Sequence, residues 1–485
     1  MEDKEKKNEN EEYRIESDLL SDQKVPINAY YGVQTKRGIE NFKITRLGIN
    51  FFPNYIKSLG IVKKDSCQAN YDLKLITEEQ KDAICKACDE IIEGKFNQWF
   101  TTDLIEGGAG TTINMNANEV IANRALEFMG HKKGEYKYCS PNDVVNKCQS
   151  TNDVFPTSFH IGLYLENVNL EKSLEKICDA FSKKAVEFKD IIKMGRTQLQ
   201  DAVPMTLGQT FQAYAASMQE ELRLINKVKE EFLFVNIGAT AIGTGICSTP
   251  GYREKAVEYL RKETGLDIKS YPDLIFSTSD SSPLILYSSQ LKHLALKLSK
   301  IANDIRLLSS GPTCGLGEIN LPKMQPGSSI MPGKVNPVIP EVVNQVCFKV
   351  IGNDLTVTLG AENAQLELNV MEPVMIYCIF ESIDILTNVI NSFVDNCING
   401  ITANKEVCEK YVKNSIGIVT ALNPYIGYKN STKLAKEAQT TGKPIYDLVL
   451  EHNILNKEDL DTILKPENMV EPVKLDIKSN VPHEY

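Results

Sequence analysis

The chain has 485 residues, 42 % of them apolar and 24 % charged, so it is long enough to bury a large core and to form two or three domains. Its 64 acidic residues outnumber its 54 basic ones, giving a net charge of -10, and no basic stripe stands out, so nucleic acid is not expected as a partner. We find no apolar stretch of about 18 or more residues for a membrane span and no signal or transit peptide, which predicts no membrane partner and a cytoplasmic location.

The first part of the chain predicts a short tail followed by a domain of modest helices. Residues 1–12 are rich in Lys, Glu and Asn and lack an apolar core, which is typical of a disordered, solvated tail. Residues 13–147 mix helix-like segments with Gly and Pro punctuation, as in the run Glu-Gly-Gly-Ala-Gly at 106–110. We therefore predict an N-terminal domain over 13–147.

Long segments without Gly or Pro dominate residues 148–402. Three of them cover 209–237, 284–310 and 374–399, and between Leu170 and Phe188 apolar residues recur at steps of three and four. Long helices with an apolar face bury that face against one another, so this part of the chain predicts a central helical bundle. Oligomerisation is a natural way to cover the apolar surface that such a bundle leaves exposed.

Residues 403–485 return to shorter segments, broken at Gly417, Pro424 and Gly427, and predict a small C-terminal domain. The predicted fold class is therefore mostly all-α. A central bundle of long helices is expected to carry smaller N- and C-terminal helical domains.

Twelve cysteines are spread along the chain without a compact framework, which in a chain of this length favours free thiols over disulfides. Only Cys85 and Cys88 are singled out as a pair, a lone CxxC in a helix-like segment. Without a second pair or a nearby histidine, this spacing is more typical of two small residues that pack one turn apart than of a zinc or redox site. We expect neither a metal ion nor a cofactor.

The most informative polar run reads GSSIMPGKVNPVIPEVVNQ and begins at Gly327. Two adjacent hydroxyls, Ser328 and Ser329, lie among Gly and Pro, and a loop of this kind can present backbone N–H groups to an anion. Lys334 and Asn336 add a cation and an amide that suit a carboxylate. A polar surface loop rich in turn residues is the alternative interpretation of the same pattern.

Three further runs are polar enough to form a site: residues 110–116, 149–153 and 195–202. The first two contain Ser, Thr, Asn and Asp at places where these residues commonly cap helices. The third precedes a long helical segment and could be a simple junction between a loop and that helix. Taken singly, none of the three predicts a functional site.

Taken together and in this order, the runs resemble the fumarase/aspartase superfamily. The resemblance starts at RIESDLLSDQKVPINAYYGVQTKRGIENF, from Arg14, and continues through EGGAGTTINMNANEVIANRALE, from Glu106, KMGRTQLQDAVPMTLGQTF, from Lys193, and INGITANKEVCEKYVKNSIGIVTALNP, from Ile398. The segment GSSIMPGKVNP, from Gly327, is specific to the superfamily, and the flanking segments are most similar to the aspartase branch, the L-aspartate ammonia-lyases. The resemblance implies a homotetramer that interconverts L-aspartate with fumarate and ammonia, its sites shared between subunits.

The resemblance also implies roles for individual residues. Ser328 matches the base that removes the C3 proton of the substrate, and Lys334 and Asn336 match the residues that hold the carboxylate beside the amino-bearing carbon. The residues that match the surroundings of the other carboxylate are Thr111, Ser150, Thr151 and Ser329. The residues that match the surroundings of the leaving amino group are Asn152 and Thr197. Possible supporting residues are Gln198, Met331 and Glu341.

One position separates the two main branches of the superfamily. Fumarases usually carry His where this chain has Gln198, paired with a Glu that matches Glu341; a hydratase benefits from a titrating pair because its leaving water needs a proton. Gln198 hydrogen-bonds but does not titrate, which favours ammonia release. Fumarate hydratase stays the enzymatic alternative, and a recruited, non-catalytic lyase fold is the alternative outside enzymes. The family often has His where Val144 stands, at an auxiliary anion site, so with Val144 and Ser140 we expect no second dicarboxylate site.

Overall fold

The structure is a computed structural model of the chain, and it describes residues 12–482. Of the predicted tail at 1–12, residues 1–11 lie outside the described residues, and Glu12 is exposed just before the first strand. The α-helices, in chain order, are α1 (Val33–Asn41), α2 (Pro53–Asp72), α3 (Glu78–Ile92), α4 (Thr111–Phe128), α5 (Thr151–Glu187), α6 (Leu207–Val228), α7 (Tyr252–Thr264), α8 (Leu274–Ser279), α9 (Ser282–Leu308), α10 (Val338–Glu362), α11 (Glu372–Asn396), α12 (Lys405–Asn414), α13 (Val419–Ile426), α14 (Tyr428–Thr441), α15 (Ile445–Glu451), α16 (Lys457–Ile463) and α17 (Pro466–Met469).

Strands are few and short in the described residues, and they form four two-stranded sheets. β1 (Tyr13–Ser17) pairs antiparallel with β2 (Asp22–Pro26), and β3 (Ile192–Thr197) pairs antiparallel with β4 (Gln200–Thr206). β5 (Phe234–Val235) and β6 (Lys269–Ser270) are parallel, whereas β7 (Ile319–Asn320) and β8 (Thr402–Ala403) are antiparallel. The prediction of a mostly all-α fold is confirmed.

The predicted long helices are present, with one correction. α5 has 37 residues, and its apolar stripe from Leu170 to Phe188 is buried at every step. The segment at 284–310 corresponds to α9 and the one at 374–399 to α11. The segment at 209–237 stays α-helical only to Val228, where a 3-10 turn leads into β5. Aromatic and β-branched residues favour an extended conformation when a partner strand is present, and β6 supplies that partner.

The chain divides into two compact units. Within the described residues, unit 1 consists of 12–172, Arg223–Ala295 and Phe348–Thr387, and unit 2 consists of Ser173–Leu222, Leu296–Cys347 and 388–482. One core of unit 1 is built from α2, α5 and α7 around residues such as Ile61, Ile161 and Leu260. In unit 2 a core forms where α13–α16 pack around β3, with Met194 and Leu448 fully buried. The predicted domain boundaries at 147 and 402 stay a prediction.

Helix α11 is long and apolar enough to cross a membrane by length and composition alone, as a candidate span of Glu372–Gly400 with mean hydropathy 1.5. The sequence analysis found no stretch of this kind, so the candidate span corrects that statement. In the structure 61 % of the candidate window is buried inside the protein, and Ile383 and Leu386 are fully buried. Burial of this kind is typical of a core helix.

Candidate functional site

The polar run at 149–153 spans the start of α5 in unit 1. Ser150 Oγ accepts a hydrogen bond from the backbone N–H of Asn152 at 3.3 Å, and Asp153 Oδ1 accepts from the backbone N–H of Ser150 at 2.9 Å. These contacts are those of a helix cap, as the local pattern predicts. They also hold three adjacent polar side chains, those of Ser150, Thr151 and Asn152, at one end of a helix.

Asp153 is fully buried and ties this helix end to a neighbouring loop. Its Oδ2 accepts hydrogen bonds from the backbone N–H groups of Gly238, at 3.0 Å, and Thr240, at 2.9 Å. Burial raises the pKa of the Asp153 carboxyl to about 6, although the backbone N–H donors and Lys63 oppose that rise. Removing this carboxylate would leave three backbone N–H groups without their acceptor.

The orientation of the Asn152 amide follows from its neighbour. Asn152 Nδ2 donates to the backbone carbonyl of Ala241 at 2.7 Å. Because a carbonyl oxygen only accepts hydrogen bonds, the NH2 end of the amide must face Ala241. Asn152 Oδ1 is therefore the end that is available to accept from a cationic N–H group.

Thr151 contacts a polar group that we call the amide cluster, in which three residues are buried and two are half-buried. The buried members are Lys63, Asn114 and Asn118, and the half-buried ones are Asn146 and Gln149. Asn146 Oδ1 accepts from Lys63 Nζ at 3.0 Å, from Asn118 Nδ2 at 3.1 Å and from Asn114 Nδ2 at 3.3 Å. Lys63 Nζ also donates to Gln149 Oε1 at 2.9 Å, and burial lowers the pKa of Lys63 to about 7. Asn114 Nδ2 reaches Thr151 Oγ1 at 3.1 Å, so the cluster is connected to a predicted site residue.

Thr111 is the first residue of α4, and its side chain is exposed. The preceding Gly110 has φ 86°, and a Cβ there would come within 2.5 Å of the Phe155 ring, so only glycine fits. This close approach brings the start of α4 against the first turns of α5, where Ser150 and Thr151 lie. Close to the start of α4, burial raises the pKa of Glu106 to about 8, although polar groups of Ile113 and Thr112 oppose that rise.

In unit 2 the run at 195–202 is a β-hairpin and not a simple junction between a loop and a helix. β3 and β4 are joined by Gln198 and Leu199 alone, and both residues are left-handed, with φ 53° and 62°. Positive φ at both central residues is what a type I′ turn requires, and the twist of that turn matches the flanking strands. Thr197, at the end of β3, and Gln198 are consequently exposed at the hairpin tip.

A buried ionic group anchors the base of this hairpin. Glu318 is fully buried, with Oε1 at 2.6 Å from Arg196 Nη1 and Oε2 at 3.2 Å from Lys193 Nζ. Buried charges that are paired in this way hold their partners in place, because separating them would leave an uncompensated charge. The tip that carries Thr197 and Gln198 is thus attached to a fixed base.

The run at 327–336 forms a short closed loop before α10. The backbone N–H of Gly327 donates to the carbonyl of Lys334 at 2.8 Å, and Asn336 Nδ2 donates to the carbonyl of Gly327 at the same distance. A Cβ at Gly327 would lie 2.8 Å from the Lys334 carbonyl oxygen, so the loop closes around a residue without a side chain. The segment is a surface loop, as one interpretation of its sequence suggested. The two hydrogen bonds that close the loop bring Ser328, Lys334 and Asn336 into one short stretch of backbone.

The Ser328 hydroxyl occupies a distinctive position in this loop. Its Oγ accepts hydrogen bonds from the backbone N–H groups of Ile330, at 3.1 Å, and Met331, at 3.0 Å. Two backbone donors on one oxygen stabilise negative charge there, which is the arrangement of an oxyanion hole. Ser329, Met331 and Lys334 are exposed around it.

The loop leads directly into α10, with Glu341 in its first turn. Asn344, one turn later, accepts from Arg306 Nη1 at 3.0 Å and donates to Ser299 Oγ at 2.8 Å, so the start of α10 is fastened to α9. The loop therefore projects from a fixed helix end.

The structure brings the predicted residues together in three groups. The first group is Thr111 with Ser150, Thr151 and Asn152, in unit 1. The second is Thr197 with Gln198, and the third is the loop that carries Ser328, Ser329, Met331, Lys334 and Asn336. Within unit 2, no hydrogen bond or ion pair among the described residues links the hairpin tip to that loop. Across residues 12–482 no group of three or more His, Cys, Asp or Glu is placed to hold a metal ion.

Comparisons with known proteins identify the family. A family model described as "Lyase" matches residues 22–352, and one described as "Fumarase C C-terminus" matches residues 418–471. Aspartate ammonia-lyases of Escherichia coli (strain K12) and Helicobacter pylori are each 54 % identical to the chain over 95 % of its length, covering 96 % and 98 % of those proteins. The chain belongs to the fumarase/aspartase superfamily.

Solved structures of the fumarase/aspartase superfamily have the same fold. A fumarate lyase:delta crystallin from Brucella melitensis, in a structure bound to cobalt, is 46 % identical with a TM-score of 0.93, covering 95 % of this chain and 100 % of that one. A class II fumarase from Schistosoma mansoni is 34 % identical with a TM-score of 0.89, covering 94 % and 99 %.

The sequence analysis missed the buried residues that form hydrogen bonds or ion pairs with the superfamily motifs. It singled out Thr111 in the run at 110–116 but passed over Asn114, and it used neither Lys63 nor Glu318. A signal was available for Asn114: asparagine is a poor residue for a helix interior, yet Asn114, Asn116 and Asn118 alternate along α4 and are all buried. No sequence pattern marks Lys63 or Glu318, because each acquires its role only from partners far along the chain.

Proposed function

We propose that this chain is an ammonia-lyase that converts L-aspartate reversibly to fumarate and ammonia. The observation that carries the proposal is the 54 % identity to aspartate ammonia-lyases of two organisms along 95 % of the chain. The three groups of polar residues described above support it, because they supply a base, a cation and several hydroxyl and amide groups for a substrate with two carboxylates and an ammonium.

Ser328 is proposed as the base that removes the C3 proton. A serine hydroxyl is a weak base unless its alkoxide is stabilised, and the backbone N–H groups of Ile330 and Met331 already point at Ser328 Oγ. Hydrogen bonds to the charged form of a group favour that form. Lys334, from the same loop, adds positive charge to the loop.

Removal of the C3 proton leaves an electron pair that the neighbouring carboxylate must accept as an aci-carboxylate. Hydroxyl groups aimed at that carboxylate stabilise the charge as it develops. We assign this task to the hydroxyl residues Thr111, Ser150, Thr151 and Ser329. We assign the carboxylate beside the amino-bearing carbon to Lys334 and Asn336, whose amide is already oriented by the Gly327 carbonyl.

The C–N bond then breaks and its electron pair leaves with neutral ammonia, while the pair held by the aci-carboxylate forms the double bond of fumarate. Asn152 is proposed to face the ammonium, because the Ala241 carbonyl leaves Asn152 Oδ1 free to accept from an N–H group. Thr197 lies near the same group in this proposal, with Gln198 beside it. Since the ammonium needs no further proton to leave as ammonia, the absence of a titrating side chain at Gln198 suits this reaction.

Ultraviolet absorbance of fumarate tests the proposal directly. Purified protein is expected to produce fumarate from L-aspartate and to produce little or none from L-malate. Fumarate hydratase is the second candidate, favoured by the similarity to the Schistosoma mansoni class II fumarase. Faster turnover of malate than of aspartate would replace the first proposal by the second, and no fumarate from either substrate would support a non-catalytic lyase fold.

We further propose a homotetramer whose sites are shared between subunits. An apolar stripe on the unit 1 part of α10 supports this: Phe348, Leu355 and Leu359 are 62 %, 60 % and 55 % exposed, one above another on the helix. A large exposed apolar patch marks a surface that another protein covers, and a second copy of the chain is the partner proposed. Light scattering should give a mass about four times that of the chain.

Complementation tests whether the sites are shared. Ser328→Ala and Thr197→Val chains, each inactive alone, should recover part of the activity when they are expressed together, because some sites of a mixed tetramer draw every group from an intact chain. The matched control mixes Ser328→Ala with Lys334→Ala. Both changes lie in the same loop, and each site takes that loop from a single chain. Every loop in the mixture therefore carries one change or the other, and no rescue is expected. Equal failure of both mixtures would contradict shared sites.

We propose a cytoplasmic location because the cysteines are free thiols. All twelve lie within the described residues, and none forms a disulfide there. Free, mostly buried thiols are typical of a reducing compartment. Cell fractionation with an antibody to the protein tests the location.

A further inference from the structure

The amide cluster in unit 1 fixes the direction of a chain of hydrogen bonds. Asn146 Nδ2 donates to the backbone carbonyl of Gln149 at 3.2 Å. A carbonyl oxygen only accepts, so Asn146 must present its Oδ1 to its other neighbours, among them Asn114 at 3.3 Å. The atom of Asn114 that meets this oxygen is therefore Nδ2, a donor.

The same Asn114 Nδ2 also lies 3.1 Å from Thr151 Oγ1. Since the NH2 group of Asn114 donates, Thr151 must accept on this side, and its own proton must point elsewhere. The carbonyl four residues earlier in the chain, that of Lys147, already accepts from Asn70 Nδ2 at 2.9 Å and from Gln149 Nε2 at 3.1 Å. Among the described residues the Thr151 hydroxyl has no acceptor for its proton.

We propose that Asn114 is a positioning residue, which directs the hydroxyl proton of Thr151 towards the substrate carboxylate. The proposal rests on the proposed function of Thr151 as a ligand of the carboxylate that becomes the aci-carboxylate. Asn114 does not touch the substrate; it acts through Thr151. A hydroxyl that is already turned to donate does not have to reorient when charge develops on the carboxylate. Its hydrogen bond therefore stabilises the transition state more than the ground state.

Two variants separate direction from packing. Asn114→Asp keeps the size of the side chain but places an acceptor against Thr151 Oγ1, which turns the hydroxyl proton away from the substrate. We expect kcat/KM for aspartate to fall about a hundredfold, with the larger part of the loss in kcat. Asn114→Ala removes the donor but puts no acceptor in its place, so kcat/KM for aspartate should fall only about tenfold. The activity of Asn114→Asp should partly recover as pH falls, because a protonated carboxyl can donate again.

Asn116→Asp is the matched control. Asn116 is a fully buried amide on the same helix, and its Nδ2 donates to the Trp99 carbonyl at 3.0 Å instead of to a site residue. It should lose thermal stability much as Asn114→Asp does, while kcat/KM of the folded enzyme changes less than about threefold. A larger loss of kcat/KM in Asn114→Ala than in Asn114→Asp would attribute the effect to packing and overturn the proposal.

A double-mutant cycle with Thr151→Val decides the question. If Asn114 acts through Thr151, Asn114→Asp should reduce kcat/KM by less than about threefold in the Thr151→Val background. The same measurements with succinate, a non-reacting dicarboxylate, as a competitive inhibitor report ground-state binding. An undiminished loss in the Thr151→Val background would overturn the role of Asn114 and leave that of Thr151 intact. Wild-type kcat/KM in Thr151→Val alone would instead overturn the proposed role of Thr151, and with it this inference.

Discussion

At the start of α5 in unit 1, Thr151 is 8 % exposed and the Asp153 carboxylate beneath it is fully buried, whereas in the loop at 327–336 of unit 2, Ile330 is 83 % exposed. The first region is held by hydrogen bonds to several distant segments. The second is closed by a few bonds within its own ten residues. Both regions carry predicted site residues.

The difference between the two regions predicts whether a substitution changes stability, activity or both. In the buried region a polar side chain supports both the fold and the site, so its removal lowers stability as well as activity. In the exposed loop a side chain contributes little to the folded state, so its removal should affect activity alone. Substitutions at four residues test this contrast, and they follow from the largest expected effect to the smallest.

Ser328→Ala should abolish turnover while the protein stays folded. The base is lost, and we expect kcat to fall by about a thousandfold or more, with the melting temperature nearly unchanged because the hydroxyl is on a surface loop. Steady-state kinetics and calorimetry on one preparation measure both. Turnover within tenfold of the parent would contradict the assignment of the base.

Asp153→Ala should lower the stability of the protein, unlike Ser328→Ala. Three backbone N–H groups would lose their acceptor, so the free energy of unfolding should fall by about 3 kcal/mol or more. The exposed Asp143→Ala serves as control and should change it by less than about 0.5 kcal/mol. Equal stability of the two variants would remove the contrast between the regions.

The same carboxyl predicts a pH dependence of stability. Its pKa is raised from 3.8 to about 6, so between these values the folded state binds more protons than the unfolded state does. The contribution of Asp153 to the free energy of unfolding therefore falls as pH rises from about 4 to about 6 and is constant above that. Asp153→Asn should flatten this part of the stability profile.

Lys334→Ala should weaken substrate binding and turnover together at constant stability. A carboxylate loses its cation in both the ground state and the transition state, so we expect KM for aspartate to rise by about tenfold or more and kcat to fall. Lys323→Ala, another exposed lysine shortly before the loop, is the control. An unchanged KM would count against the role of Lys334.

Gln198→His should have the smallest effect on activity, and it compares the hairpin tip with the loop at 327–336 within unit 2. The hairpin tip is exposed like the loop, but its base is held by buried Glu318, so the new imidazole should be presented at the same place. We expect weak dehydration of malate to appear, because the imidazole titrates near neutral pH, while part of the ammonia-lyase activity is kept. Loss of ammonia-lyase activity without any malate turnover would show that Gln198 has a different role.

Several elements were predictable because their signals are local. The spacing of apolar residues from Leu170 to Phe188 is enough to predict a buried helix face. The Gly and Pro residues around Ser328 likewise predict a loop. The residues at 234–235 were assigned to a helix because nothing in their own segment reveals β6, 34 residues further on. The hairpin at 192–206 was missed for a similar reason: Gln198 and Leu199 are not residues that usually adopt positive φ, and the ladder imposes it.

The sequence by itself determined the helical class, the family and the chemical types of the candidate site, because these depend on spacing and on residue identity. Only the tertiary structure decided which end of each polar group faces which neighbour. The direction of the Thr151 hydroxyl depends on Asn114 and Asn146, and the direction of the Asn152 amide depends on a carbonyl 89 residues away. A hydroxyl or an amide can donate or accept, and the choice between the two is made by its neighbours in space.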